Sequence, residues 1–164
     1  MEFKEVLCAR ASVRDYKDEK ISREVLERLV DAGRRAPSAR AVEPWEFVVV
    51  TDKERLRQLA ALAVNGAFVA AAAAAVVVFC RDTKYYLEDG CAATENILLA
   101  ATAAGLGACW IAGDKKEYAQ EVTALLDVPA DMKLISIIAA GVPFRETKQV
   151  KRRRLEQVLH WETF

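Results

Sequence analysis

The sequence predicts one layered domain, α/β or α+β, in which helices cover a β-sheet. Three observations carry that expectation. The chain has 164 residues, the size of one ordinary domain whose core needs no staples. Apolar runs of strand length, "WEFVVV", "AVVVFC" and "KLISIIAAG", come between stretches of helical periodicity. No linker-like segment and no internal repeat divides the chain, so residues 1–164 form a single domain on this reading.

The elements follow in order. "EFKEVLCA" makes a short helix with Phe3, Val6 and Leu7 on one face. "ISREVLERLVDAGRR" is a firmer helix. Ser22 suits its N-cap, Ile21 and Leu26 fit a hydrophobic staple, and Val25, Leu26, Leu29 and Val30 form its apolar stripe. Two prolines in "APSARAVEP" break the pattern before "WEFVVV", which reads as a buried strand. A capping box from Thr51 to Glu54 then opens a helix that runs to about Ala63. The alanine run 70–75 reads as a helical or irregular approach to a central strand, Ala75 to Cys80. Asp89 caps the long helix "GCAATENILLAATAAG", whose alanines allow another helix to come close. "LGACWIAG" is a short strand, "KKEYAQEVTALL" a helix and "KLISIIAAG" a further buried strand. The tail "KQVKRRRLEQVLHWETF" ends the chain.

Composition narrows the function classes. Hydrophobic residues are 53% and charged residues 29%, a globular rather than a disordered balance. Lys plus Arg equals Asp plus Glu at 24 each, which argues against a general nucleic-acid or membrane-surface binder. Cys8, Cys80, Cys91 and Cys109 form no C-x-x-C pair, and Cys80 and Cys109 sit in apolar runs, as free thiols in a reducing compartment would. His160 is the sole histidine, so a histidine-rich metal site is not expected. No charged-then-apolar signal opens the chain. The apolar run Ala67 to Cys80 is 14 residues, too short for a membrane-spanning helix. A cytoplasmic protein is the expectation.

The stretch "RASVRDY" raises the functional question. If it is extended, a period of two sends Arg10, Ser12 and Arg14 to one face, a donor set suited to an anion; the plainer reading is a solvated loop. The glycines of "GLGACWIAG" do not form a dinucleotide fingerprint. They follow a helix and lead into a strand, the reverse of what that motif needs, and so read as a helix C-cap and a tight turn. The run Lys151-Arg152-Arg153-Arg154 is a solvated basic face, a nucleic-acid patch, or the other half of a compact site for a phosphate monoester. Asp89 and Glu95 read as a cap and a surface or interface residue rather than a catalytic pair, and His160 as packed or superficial. An anion site without an acid–base team points to chemistry carried by a cofactor.

Taken in order, these motifs resemble the FMN-dependent nitroreductases. The family's R-x-S-x-R plus aromatic is matched by Arg10, Ser12, Arg14 and Tyr16, and its A-P-S and P-W-x-F by Ala36-Pro37-Ser38 and Pro44-Trp45-Glu46-Phe47. Asp89 opens the helix leading to G-L-G-x-C-W-I, here Gly105 to Ile111. Gly141-Val142-Pro143, Lys151-Arg152-Arg153 and Leu155-Glu156-Gln157-Val158-Leu159-His160 complete the set. The resemblance spans nearly the whole chain.

It implies an α+β nitroreductase-like fold, a central mixed or antiparallel sheet flanked by helices, in an interwoven homodimer with FMN at the interface. It also implies that Arg10, Ser12, Lys151 and Arg153 hold the FMN phosphate, with Ala11 among the cofactor-binding residues. Arg14 would reach the pyrimidine edge of the flavin, and the amides near Ala112 and Gly113 would face its N5. Pro37, Ser38 and Ala39 would come from the partner subunit. The implied activity is ping-pong hydride transfer from NAD(P)H as co-substrate, through FMN, to a small-molecule acceptor such as a nitroaromatic or a quinone. Other flavin chemistry (dehalogenation or flavin destruction) and a non-enzymatic flavin-binding module stay as alternatives. Two positions depart from the family: Ala41 and Glu43 stand where N-x-Q precedes the Pro-Trp pair. The chain also lacks the helical insertions of longer members.

Overall fold

Two runs that are apolar at almost every position form the middle of the sheet, because only a strand covered on both faces can use them. These are β2 (Ala74–Cys80), buried throughout, and β4 (Lys133–Gly141), buried after its first residue. The computed structural model describes residues 1–150 and 153–164. β1 (Trp45–Val50) pairs with β2, and β3 (Gly107–Ala112) with β4, giving the order β1-β2-β4-β3 with every neighbour antiparallel. The antiparallel sheet makes the fold α+β. β1 is an outer strand, so only Trp45 and Val50 of "WEFVVV" are buried, against the expectation of a wholly buried strand.

Alternation along β2 divides the core in two. Val77 and Phe79 pack with Leu56 and Leu59 of α3 (Lys53–Leu62) and Val122 of α5 (Ala119–Leu125). Val76 and Val78 face the other way, onto Leu26 and Leu29 of α2 (Arg23–Gly33) and Ile97 and Leu98 of α4 (Tyr86–Ala103). α4 is fastened to the sheet by a buried polar link. The Thr94 hydroxyl donates to the Gly90 carbonyl at 2.8 Å, which leaves Ser136 to donate to Thr94, also at 2.8 Å.

Capping refines the expected boundaries. Ser22 caps α2, its hydroxyl accepting from the Val25 amide. α3 is capped by Asp52 rather than Thr51: the carboxylate accepts the Arg55 amide at 2.9 Å and sits favourably at the positive end of the helix. α4 begins at Tyr86, before Asp89, which therefore lies inside its first turn and is not the cap. The helix closes as expected on Gly105 at φ 74°, with the Gly105 and Leu106 amides returned to Thr102 and Ala101. The single short helix at the start, α1 (Phe3–Ala9), buries only Val6; Phe3 and Leu7 stay exposed. So do Leu155, Val158, Leu159, Trp161 and Phe164 in the tail.

Candidate functional site

The R-x-S-x-R stretch is extended and lies along the free edge of β3. Ser12 forms a parallel bridge with Ala108, and the Val13 amide donates to the Ala108 carbonyl at 3.0 Å. Alternation turns Val13 into the core and leaves Ser12 and Arg14 exposed. Tyr16 locks the segment. Its buried hydroxyl donates to the Val13 carbonyl at 2.6 Å, and burial holds the phenol far above its ordinary pKa, so it remains a donor. Beyond it, Tyr16 bridges Pro143, and the Lys17 and Phe144 amides tie the two chain segments together.

Val13 has room only because residue 107 is glycine: a Cβ there would lie 2.6 Å from Val13 Cγ1 and 2.7 Å from its Cβ. A β-branched side chain cannot swing clear of such a contact. Gly107→Ala is therefore expected to destabilise the domain by about 1–3 kcal/mol. Thermal unfolding should show a Tm lower by several degrees, and an unchanged Tm would mean that the segment is not seated as described.

Arg10, Ser12 and Arg14 all act on the Cys109 thiol. Burial pushes that thiol up, and the Arg14 charge, the Ser12 hydroxyl and the Arg10 charge pull it back. Beside them is a cavity of about 580 Å³, within the usual range for small-molecule sites. Arg10 and Ser12 supply its donors, while Leu98, Ala108 and Trp110 supply an apolar wall. Glu95 also lines it, its carboxylate 4.0 Å from the Arg10 guanidinium. Arg14 lies to one side, its guanidinium 5.6 Å from the centre of the Phe68 ring. The tail enters at Gln149, whose side-chain amide donates to the Arg10 carbonyl at 3.1 Å. Lys151 lies outside the described residues. Arg153 is exposed and donates instead to the Gln157 carbonyl within the tail's own turn.

At the far end of β3 the ladder treats two neighbours differently. The Gly113 amide donates to the Ile135 carbonyl at 2.9 Å and is used up in the sheet. Strand alternation turns Ala112 outward, where its carbonyl accepts the Tyr118 hydroxyl and its amide faces away from β4. Of the pair, Ala112 has the amide that a ligand could reach.

Pro37, Ser38 and Ala39 lie elsewhere, in a loop packed on the start of α4. Arg40, Ala41 and Glu43 all take positive φ, at 57°, 52° and 47°. Each such non-glycine residue costs about 1–2 kcal/mol, so the surroundings must hold the loop. They do so at both ends. Asp89, buried at 5% exposure, accepts the Ala39 amide at 2.9 Å. Ser38 accepts the Glu43 amide at 2.9 Å, and Arg81 donates to the Val42 and Glu43 carbonyls at 3.2 and 3.1 Å. Sequence reading missed Asp89 and Arg81 in this role, since a carboxylate at a helix start looks like a cap. Along α4, Asp89 lies six residues, about 9 Å, from Glu95 at the near side of the cavity, and no residue of the loop lines it. Within one chain the loop and the Arg10 cluster are thus not brought together.

The donor set and the apolar wall, with Trp110 in it, fit an anionic cofactor with an aromatic ring system, and Glu95 is the one group lining the cavity that opposes an anion. Comparison with known proteins agrees with the architecture. The model of the nitroreductase family matches residues 7–90 and, in a second overlapping stretch, 81–142. A protein of Archaeoglobus fulgidus, provisionally named an NADH dehydrogenase/NAD(P)H nitroreductase, is 36% identical over 146 residues, covering 84% of this chain and 83% of its own. An FMN-dependent nitroreductase from Clostridium difficile superposes with a TM-score of 0.91 at 30% identity, over 97% of this chain and 98% of that one. A provisionally named nitroreductase from Desulfovibrio desulfuricans, solved in complex with FMN, superposes at 0.88 with 32% identity, over 100% and 98% of the two chains.

Proposed function

The chain belongs to the nitroreductase family, and from that premise we propose that it is a homodimeric FMN-dependent NAD(P)H oxidoreductase that reduces small acceptors such as nitroaromatics and quinones. The observation that carries the reading is the seating of Arg10 and Ser12 on the β3 edge, beside a cavity with an apolar Trp110 wall. FMN, when bound, supplies a centre that accepts a hydride from NAD(P)H and returns it to the acceptor.

The chain's own groups bind and orient that centre. Arg10 and Ser12 hold the phosphate by charge-assisted and neutral hydrogen bonds, with Lys151 and Arg153 as further cations. Arg14 puts positive charge by the pyrimidine edge, which favours the reduced, anionic ring. The outward Ala112 amide faces N5, and Pro37–Ala39 of a second copy close the site.

The homodimer has its own support. Within one chain no residue of the loop lines the Arg10 cavity, which leaves the loop of a second copy free to complete the site. Trp161 is 78% exposed, Leu155 66% and Phe3 71%, a large apolar surface for one chain to leave in water. An open groove of about 1160 Å³ along β1, lined by Leu26, Val30, Phe47 and Val49 among charged residues, offers a second copy's tail a place to lie.

The test is spectroscopic and kinetic. The FMN-loaded protein should bleach in the visible when NADH or NADPH is added anaerobically, and an acceptor should restore the colour. Because one face serves donor and acceptor in turn, initial-rate plots should give parallel lines. Intersecting lines would replace the two-step scheme with a ternary complex. A flavin that binds but never bleaches would make the protein a binding module.

A further inference from the structure

We propose that Asp89 and Arg81 are positioning residues for the flavin ring, acting through the loop 37–43 that they hold from its two ends. The inference rests on the reading above, in which Pro37–Ala39 serve the flavin of the partner subunit.

The argument starts from the conformation of the loop. Three of its four residues from Arg40 to Glu43 sit at positive φ, and none of the three is glycine or asparagine. Such a loop does not keep its shape by its own preferences. Ala41 occupies the place where the family has an asparagine, a residue that tolerates this region better, so this chain depends more on outside support. That support is polar and directional. The Asp89 carboxylate is 5% exposed, on a helix fastened to the sheet, and it fixes the Ala39 amide at 2.9 Å. Arg81, directly after β2, grips the carbonyls of Val42 and Glu43 at 3.2 and 3.1 Å. Asp89 is buried in the first turn of α4 and Arg81 directly follows the central strand β2, and the segment between them contains Ala39 and adjoins Pro37 and Ser38. Neither residue lines the Arg10 cavity. Their influence on a cofactor therefore runs through the loop, and it concerns the ring end, not the phosphate.

The experiment compares FMN with riboflavin, which has the same ring and no phosphate, titrated by flavin fluorescence against the full-length protein. Asp89→Ala should weaken both ligands equally, by about tenfold, the size of one lost hydrogen bond to a charged group. Asp89→Asn keeps an oxygen for the Ala39 amide and should restore most of the affinity. Arg81→Met, at an exposed position, should act in the same direction and serves if Asp89→Ala does not fold. Folded Asp89→Ala and Arg81→Met proteins that lose thermal stability but bind both flavins like wild type would overturn the proposal, leaving two merely structural residues. Mixed dimers of an Arg10→Ala chain with an Arg81→Met chain separate this from the shared-site reading. If the loop serves the partner subunit, one site of each mixed dimer is intact and takes up one FMN with wild-type affinity. If every site is weakened, the loop serves its own chain and the shared-site premise falls, taking the proposal in its stated form with it.

Discussion

Arg10→Ala is expected to lower the affinity for FMN by about ten- to a hundredfold, the loss of one charge-assisted hydrogen bond at about 1.5–3 kcal/mol. The upper end is favoured by Glu95. Its carboxylate lies 4.0 Å from the guanidinium and lines the same cavity, so removing Arg10 leaves a bare negative charge facing the phosphate. Riboflavin should be affected far less. The FMN loss should also shrink as salt is raised, since both groups are partly exposed and screened. Arg14→Ala should behave differently, lowering the flavin's reduction potential more than its affinity, because Arg14 stands off the cavity by Phe68. Fluorescence titration with the two ligands, followed by a redox titration, separates the variants. Equal losses for FMN and riboflavin in Arg10→Ala would make that arginine structural and end its assignment to the phosphate.

Ending the chain after Arg154 is expected to have the largest effect of all. The cut removes Leu155, Val158, Leu159, Trp161 and Phe164, none of which is buried in a single chain. The two core clusters do not use them, so the domain itself should keep its secondary structure. The dimer should not survive. Burying even two or three such side chains against a second copy is worth about 4 kcal/mol or more, roughly a thousandfold or greater in the dimer's dissociation constant. Bound FMN should be lost with it, since each site would then lack its Pro37–Ala39 loop. Light scattering and flavin content read both losses. A full-length monomer that holds FMN, or a truncated chain that stays a tight FMN-bound dimer, would contradict the shared-site arrangement.

The strands were legible because β2 and β4 are apolar on both faces, and the α2 cap because Ser22 precedes a clean apolar stripe. Strand order was legible in part: Ala75 to Cys80 reads as central and is an inner strand, but the outer place of β1 did not show. Which apolar run is left at the edge depends on β2 pairing with β4 some sixty residues away, a contact that leaves no local mark, and so β1 was read as buried. The same limit applies at the site. A period of two was enough to place Ser12 and Arg14 outward and Val13 inward. The difference between the Ala112 and Gly113 amides depends on register against Ser136 and Ile135, which only the assembled sheet sets. The loop 37–43 was the least legible part, since positive φ falls on Arg40, Ala41 and Glu43, residues that give no warning of it. Asp89 misled for a related reason: a carboxylate near a helix start is so often a cap that its reach to Ala39 was not anticipated.

The seam that joins residues 12–17 to Ala108, Val142, Pro143 and Phe144 fixes the order in which the molecule can be completed. Arg10 and Ser12 precede the strand they lie on by about a hundred residues, and its neighbour β4 comes later still. Until then the proposed phosphate donors belong to an arm that no strand organises. Contacts between the two ends of a chain are the slowest to close, because the entropy of the whole intervening loop is lost before they repay it. The nascent chain therefore has no competent pocket at any intermediate length. Cofactor capture becomes a late event of folding, open only to chains in which residues 12–17 have already met β3 and the segment Val142–Phe144.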